Sequence, residues 1–234
     1  MVEMFDWTIG SDPEVFLIEK KAHTFYSAFN GYEAKTIWGD KTNPEPTKYG
    51  AIQVDGMAVE FNTEPTTNPF RMWENILDAK ADIRRRYPDC TLSTSCLFEL
   101  SEAFLKEQPE KATELGCDPD YDAYTLEKKI PDQEVAKGIR TAGGHIHIGW
   151  NTPADLDPES PEHLLVCGTL VKRLDSHLCP VMNAWPNYRR RTQLYGGRGS
   201  FRPKPYGLEY RAPSNYWIFR KDRMLRTISN VPGS

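Results

Sequence analysis

The chain has 234 residues, 39% hydrophobic and 12% aromatic, which is enough apolar material for the core of one large domain. No run reaches the roughly 18 apolar residues of a membrane span, and residues 1–11 lack the basic-then-apolar pattern of a secretory signal. A net charge of −4 argues against a nucleic-acid binder built on a broad basic face. No membrane or nucleic-acid partner is therefore expected. The cysteines (Cys90, Cys96, Cys117, Cys167, Cys179) are odd in number, scattered and without a C-x-x-C pair. That pattern fits reduced thiols in a cytoplasmic protein better than a disulfide framework or a structural zinc site.

In chain order, strand-like runs fall at 7–9, 14–19, 51–54, 58–62 and 91–97, and again at 139–150 and 208–212. Several alternate apolar and polar residues, the mark of a half-buried strand. Asn68-Pro69 offers an N-cap and a proline at the first helical position, so a helix is expected over 70–87, ended by Pro88. Trp73, Ile76, Leu77, Ala81 and Ile83 keep its period, and Arg84-Arg85-Arg86 reads as its solvated end. A second helix is expected over 161–182 behind Ser160. Leu164, Leu165, Gly168, Leu170, Val171, Leu174 and Leu178 mark its buried side. A third should begin near Ser214 or Phe219. Residues 101–137 are polar and broken by Pro109, Cys117-Asp118-Pro119 and Pro131, which suggests an insertion with short helices or a lid over a site; 21–50 is similar. Strands and helices do not alternate in a β-α-β rhythm. The expected fold is α+β, a mostly antiparallel sheet flanked by helices, in one domain spanning 1–234.

Four segments concentrate acidic, histidine and arginine residues. In Gly10-Ser11-Asp12-Pro13-Glu14 an extended backbone puts Asp12 and Glu14 on one side, able to aim at one point. In Gln53-Val54-Asp55-Gly56-Met57-Ala58-Val59-Glu60-Phe61-Asn62 a turn signal at Asp55-Gly56 precedes Glu60 and Asn62, which share a face. Gly143-Gly144-His145-Ile146-His147 projects two imidazoles on one side, with glycines where backbone or ligand comes close. Tyr206-Gly207-Leu208-Glu209-Tyr210-Arg211 pairs Glu209 with Arg211 on a face.

Carboxylates with one or two imidazoles suit a hard divalent cation: magnesium prefers oxygen, and manganese accepts imidazole more readily. Zinc with two histidines and a glutamate fits the His-x-His strand equally well when that strand is taken alone. The arginines weigh between them. From Arg189-Arg190-Arg191 through Arg198 and Arg202 to Arg211 they recur among glycines, as in Tyr195-Gly196-Gly197-Arg198-Gly199. Guanidinium forks match phosphate oxygens, and a divalent metal beside an arginine-rich loop is the apparatus of phosphoryl transfer.

Asp12-Pro13-Glu14-Val15-Phe16 resembles the acidic strand motif of glutamine synthetases, with Val15 in place of the first aromatic residue. The Glu60 strand, the His145-x-His147 strand, the arginine loop and Glu209-x-Arg211 follow in that superfamily's order. The nearest resemblance is to the phage-encoded carboxylate–amine ligases, type 2, whose hallmarks look like Gly-x-Asp-Pro-Glu, Gly-Gly-His-x-His and the long run corresponding to Tyr195 through Trp217. It extends from Gly10 to Trp217.

The resemblance implies a fold like the catalytic domain of glutamine synthetase. It also implies an ATP-dependent ligase with magnesium or manganese, making an amide or peptide bond through an acyl phosphate. Asp12, Glu14, Asp55, Glu60, His145 and Glu209 would hold metal. His147, Arg202 and Arg211 would contact phosphate oxygens, and Arg198 phosphate or the substrate carboxylate, with Asn62 counted in the nucleotide-contacting set. Glu14, Glu60, Arg202, Glu209 and Arg211 carry the catalytic assignments. The partners implied are a carboxylate and an amine, drawn from amino acids, peptides or proteins. The small N-terminal domain that completes a neighbour's site in glutamine synthetases is expected to be absent, so ammonia and a ring assembly are not implied, while a homo-oligomer remains compatible. A shortened C-terminal piece is also expected. Two rival readings stand beside the ligase: a zinc metallohydrolase using His145 and His147, and a non-catalytic phage structural protein on the same scaffold.

Overall fold

The computed structural model describes residues 7–113, 119–129, 138–220 and 222. Its strands form four sheets, and every strand pair among the described residues is antiparallel. The fold is thus mixed α and β with antiparallel sheets, as the sequence pattern implies. The largest sheet runs Thr8–Ser11, Ile146–Gly149, Gly207–Tyr210, Ser200–Lys204, Asp120–Asp122, Lys128–Lys129. A second runs Glu14–Val15, Ala58–Thr63, Gly50–Asp55, Glu45–Thr47.

Alternation divides the largest sheet into two faces. Ile146, Ile148, Leu208, Tyr210 and Phe201 are buried in the main core together with the helix Pro161–Met182, which packs on Ser200–Lys204 and Gly207–Tyr210. Leu164, Cys167, Leu170, Val171, Leu174 and Leu178 form its inner stripe. Leu165 departs from expectation and is 57% exposed, because it lies a residue beyond that narrow stripe. Ser160 sits at the N-cap but makes no side-chain cap bond. In the helix Pro69–Arg86, Asn68 caps as expected, accepting from the Phe70 amide at 2.9 Å. Leu77 and Ala81 face solvent, and Lys80 is buried instead, donating to the Ile218 carbonyl at 2.8 Å. Arg86 is not a solvated end: it pairs with Glu45 at 2.8 Å and Asp82 at 3.1 Å.

Three long strand-like runs prove to be broken. Residues 14–19 split into Glu14–Val15 and Leu17–Glu19, 91–97 into Cys90–Leu92 and Leu97–Glu99, and 139–150 into Ile139–Thr141 and Ile146–Gly149, each half in a different sheet. Three further expectations are corrected. Arg202 lies on a strand, Ser200–Lys204, rather than in a loop. The segment 101–137 is more than an insertion: after the short helices Glu102–Lys106 and Glu110–Thr113 it adds Asp120–Asp122 to the largest sheet. Residues 114–118 and 130–137 lie outside the described residues. The expected third helix is a 3₁₀ turn, Asn215–Phe219, and its proposed continuation lies outside the described residues. No helix among the described residues is long and apolar enough to cross a membrane.

Candidate metal centre

The polar face of the largest sheet carries a row in register: His147 opposite Glu209, and Glu209 opposite Arg202. In the second sheet Glu14 stands opposite Glu60, and Glu60 opposite Gln53. The chain passes from the first sheet to the second through Asp12-Pro13-Glu14, so the two rows adjoin there. Asp12 and Glu14 consequently serve two groups rather than aiming at one point. Asp12, His145 and Glu209 each present a ligand atom within 4.8 Å of the others, and Glu14, Asp55 and Glu60 do the same. These are the six residues expected to hold metal.

Gly143 explains how His145 reaches the first group. A Cβ at Gly143 would lie 2.1 Å from His145 Nε2, so only glycine lets the imidazole fold back over the chain. His145 Nε2 shares a hydrogen bond of 3.1 Å with the Tyr195 hydroxyl, which leaves Nδ1 turned toward Asp12 at 3.3 Å and Glu209 at 3.4 Å. Burial and the nearby Arg211 push His145 down to about 3, so the ring is neutral at pH 7. A neutral imidazole oriented by a hydrogen bond through its other nitrogen is the form that ligates metal. His147 differs. Its Nε2 meets Asp12 at 3.1 Å and its Nδ1 bonds to the Tyr206 hydroxyl, and Asp12 and Glu209 raise it against the opposing effect of burial.

Charge is unbalanced between the groups. Asp12 would be raised by burial, yet His147 and His145 hold it well below the usual carboxylate range. Glu209 is raised by burial and Asp12 even though Lys204 lies 2.9 Å away and Arg211 donates to it. Around Asp55 and Glu60, among the described residues, no lysine, arginine or histidine lies within ion-pair distance. Burial and then Asp55 push Glu14 up to about 7, and burial with four carboxylates drives Glu60 well above its usual range. Clustered, half-buried carboxylates that resist ionisation are the donor set a divalent cation relieves.

Among the arginines, two reach this face. Arg211 Nε lies 2.7 Å from Asp120 and its ring-facing side stacks 4.9 Å from the Tyr195 centroid; Arg202 Nε meets the same Asp120 oxygen at 3.3 Å. Arg198 is brought elsewhere. It is 66% exposed, bonds to the Tyr124 hydroxyl at 2.7 Å and approaches Asp175 on the helix side of the sheet. Arg191 is fully buried and donates to the carbonyls of Gly196 and Ala212 at 3.1 Å, a structural use. Asn62 and His147 line a cavity of about 450 Å³ with Thr8, Gly10, Pro65 and Tyr206.

Sequence reasoning assigned no role to Asp120, Tyr195, Lys204 or Tyr206. Lys204 was discoverable by spacing, being two residues from Arg202 on the same strand face. Asp120 carried no such signal, because it lies in the polar segment between two prolines. No protein-family model matches the chain, and no curated protein matches it.

Proposed function

We propose that the chain is a ligase dependent on ATP and a divalent metal, joining a carboxylate to an amine on a fold like the catalytic domain of glutamine synthetase. The observation that carries this reading is the pair of adjoining donor groups, Asp12/His145/Glu209 and Glu14/Asp55/Glu60, bordered by Lys204, Arg202 and Arg211. Acidic donors alone would suit many cation sites. Two of them beside a lysine and paired guanidinium groups suit a phosphate chain.

The donor set favours magnesium or manganese over zinc. A two-histidine zinc site needs both imidazoles at one point, whereas His145 is the single imidazole in either donor group and the other five donors are carboxylates. Bound ions would neutralise phosphate charge, and ATP would supply the phosphoryl group that activates the carboxylate. The protein's own part is to hold and orient. Each donor group would hold one ion, Asp120 keeps the side chains of Arg202 and Arg211 together, and Lys204 adds an ammonium beside Glu209. His147, raised by the neighbouring Asp12 against burial, would face an anionic oxygen at the edge of the cavity it shares with Asn62. That cavity falls in the volume range of small-molecule sites, about 300–1,000 Å³. The acid and amine would come from amino acids, peptides or proteins.

The test is release of ADP and phosphate from ATP with magnesium or manganese, screened over pools of carboxylates and amines. Turnover that needs both pools, and that Glu14→Ala and Glu209→Ala abolish while the fold persists, supports the ligase. Substantial turnover in both variants, or zinc-dependent hydrolysis without ATP, overturns it.

A further inference from the structure

Pro213 to Trp217 contribute no atom to either donor group, yet three side chains of this run that carry polar atoms, Ser214, Asn215 and Trp217, are all 0% exposed. The side-chain hydrogen bonds of Asn215 and Trp217 go to the two segments that carry the ligands. Asn215 Nδ2 donates to the carbonyl of Glu14 at 2.9 Å, and Trp217 Nε1 donates to the carbonyl of Gly144 at 2.9 Å. The Gly144 amide in turn donates to the Pro213 carbonyl at 3.0 Å, and Gly143 bridges to Ser214.

The two ligand segments also touch directly. The Glu14 amide donates to the Gly143 carbonyl at 3.0 Å, and the Gly143 amide donates to Glu14 Oε2 at 2.8 Å. Glu14 thus turns its own amide and carbonyl away from the Ala58–Thr63 strand, toward Gly143 and Asn215. A carbonyl leaving a ladder at such a junction needs another donor, and here a side chain provides it. The approach is close enough to dictate sequence: a Cβ at Gly144 would lie 2.6 Å from Trp217 Nε1 and 2.7 Å from the Ser214 carbonyl.

We infer that Asn215 and Trp217 are positioning residues, a two-point clamp that fixes the Asp12–Glu14 segment against the Gly143–His145 segment and so sets the geometry of both donor groups. The clamp acts on Glu14 in one group and, through the Gly144 backbone, on His145 in the other. It therefore couples two ligand sets that sit on different sheets. This rests on the reading of the donor groups as metal sites. Partners that orient ligands typically govern metal affinity by about 10–100-fold.

The experiment is a manganese titration, followed by calorimetry, of the whole chain as wild type, Trp217→Phe and Tyr87→Phe. Trp217→Phe deletes the N–H and keeps an aromatic ring. Tyr87→Phe deletes a buried bond of the same kind, the hydroxyl donating to the Ala28 carbonyl at 2.9 Å, and neither residue belongs to or bonds to a donor group. Thermal melts accompany both. Trp217→Phe should weaken manganese binding about tenfold or more, while Tyr87→Phe loses stability with affinity held within about twofold. Manganese affinity in Trp217→Phe equal to wild type, alongside lost stability, overturns the clamp and leaves the metal reading standing. A wild type that binds no manganese overturns both. Should Trp217→Phe fail to fold, Asn215→Ser, whose shorter side chain cannot span to the Glu14 carbonyl, carries the same comparison with the same expected loss.

Discussion

Replacing Glu14 by glutamine removes one negative charge from the Glu14, Asp55 and Glu60 group while keeping an oxygen to accept from the Gly143 amide. Burial and the Asp55 carboxylate push Glu14 from 4.5 up to about 7, against the opposing pull of the Gly143 amide and Arg211. An acid whose value is higher folded than unfolded holds more protons in the folded state. Its contribution to stability is therefore full below about 4.5 and is lost as pH rises through about 7. A displacement of that size is worth at most about 3 kcal/mol. His145 works the other way: a base held down to about 3 when folded and near 6.5 when unfolded loses stability as pH falls through that window. The informative quantity is thus the difference between wild type and Glu14→Gln, in which His145 largely cancels. Urea melts of metal-free protein from about pH 5 to about pH 8 should show the glutamine variant gaining on wild type by up to about 3 kcal/mol. Saturating manganese should reverse the order, because it binds and stabilises only the folded wild-type site well. A difference that stays flat with pH, or slopes the other way, refutes the charge-repulsion argument.

Asp120→Ala strips the shared carboxylate from Arg202 and the buried Arg211, and should cost about 3 kcal/mol or more in a denaturant melt, as breaking one side of a buried pair does. A loss under about 1 kcal/mol would mean Glu209 alone suffices for Arg211. Arg198 and Arg202 separate the two uses of the arginine run. Arg202→Ala should weaken metal-dependent ATP binding about tenfold or more, as loss of a charged hydrogen-bonding partner does, whereas Arg198→Ala, on the helix side, should shift it by less than about twofold. Equal losses in equilibrium dialysis would place both guanidinium groups on the ligand.

What the sequence made legible follows from how local each signal is. The helix at Pro69–Arg86 announces itself because its cap, its proline and its stop are neighbours in the chain. The four segments whose acidic and histidine side chains gather at the junction were readable for a related reason: on an extended strand, side chains two apart share a face whatever the sheet does. Where one sheet ends and the next begins was not readable. Pro13, Phe16 and Gly143-Gly144 interrupt runs whose alternation looks continuous, and those interruptions send Asp12 and Glu14 to separate groups. The arginines show the same limit. Spacing cannot tell Arg202, which lies in register with Glu209, from Arg198, which turns to Tyr124 on the helix side, or from Arg191, which buries itself among carbonyls. Asp120 was least accessible, since only the long-range pairing of Asp120–Asp122 with Ser200–Lys204 brings it to Arg211.

The central claim, a metal-dependent nucleotide site at the junction of the two sheets, is tested most directly by titrating the protein with ATP in the calorimeter, with and without magnesium or manganese. Binding that requires the metal and disappears in Glu14→Ala and in Arg202→Ala is the result expected. Absence of ATP binding under every metal condition, or binding that both variants retain, would contradict the account.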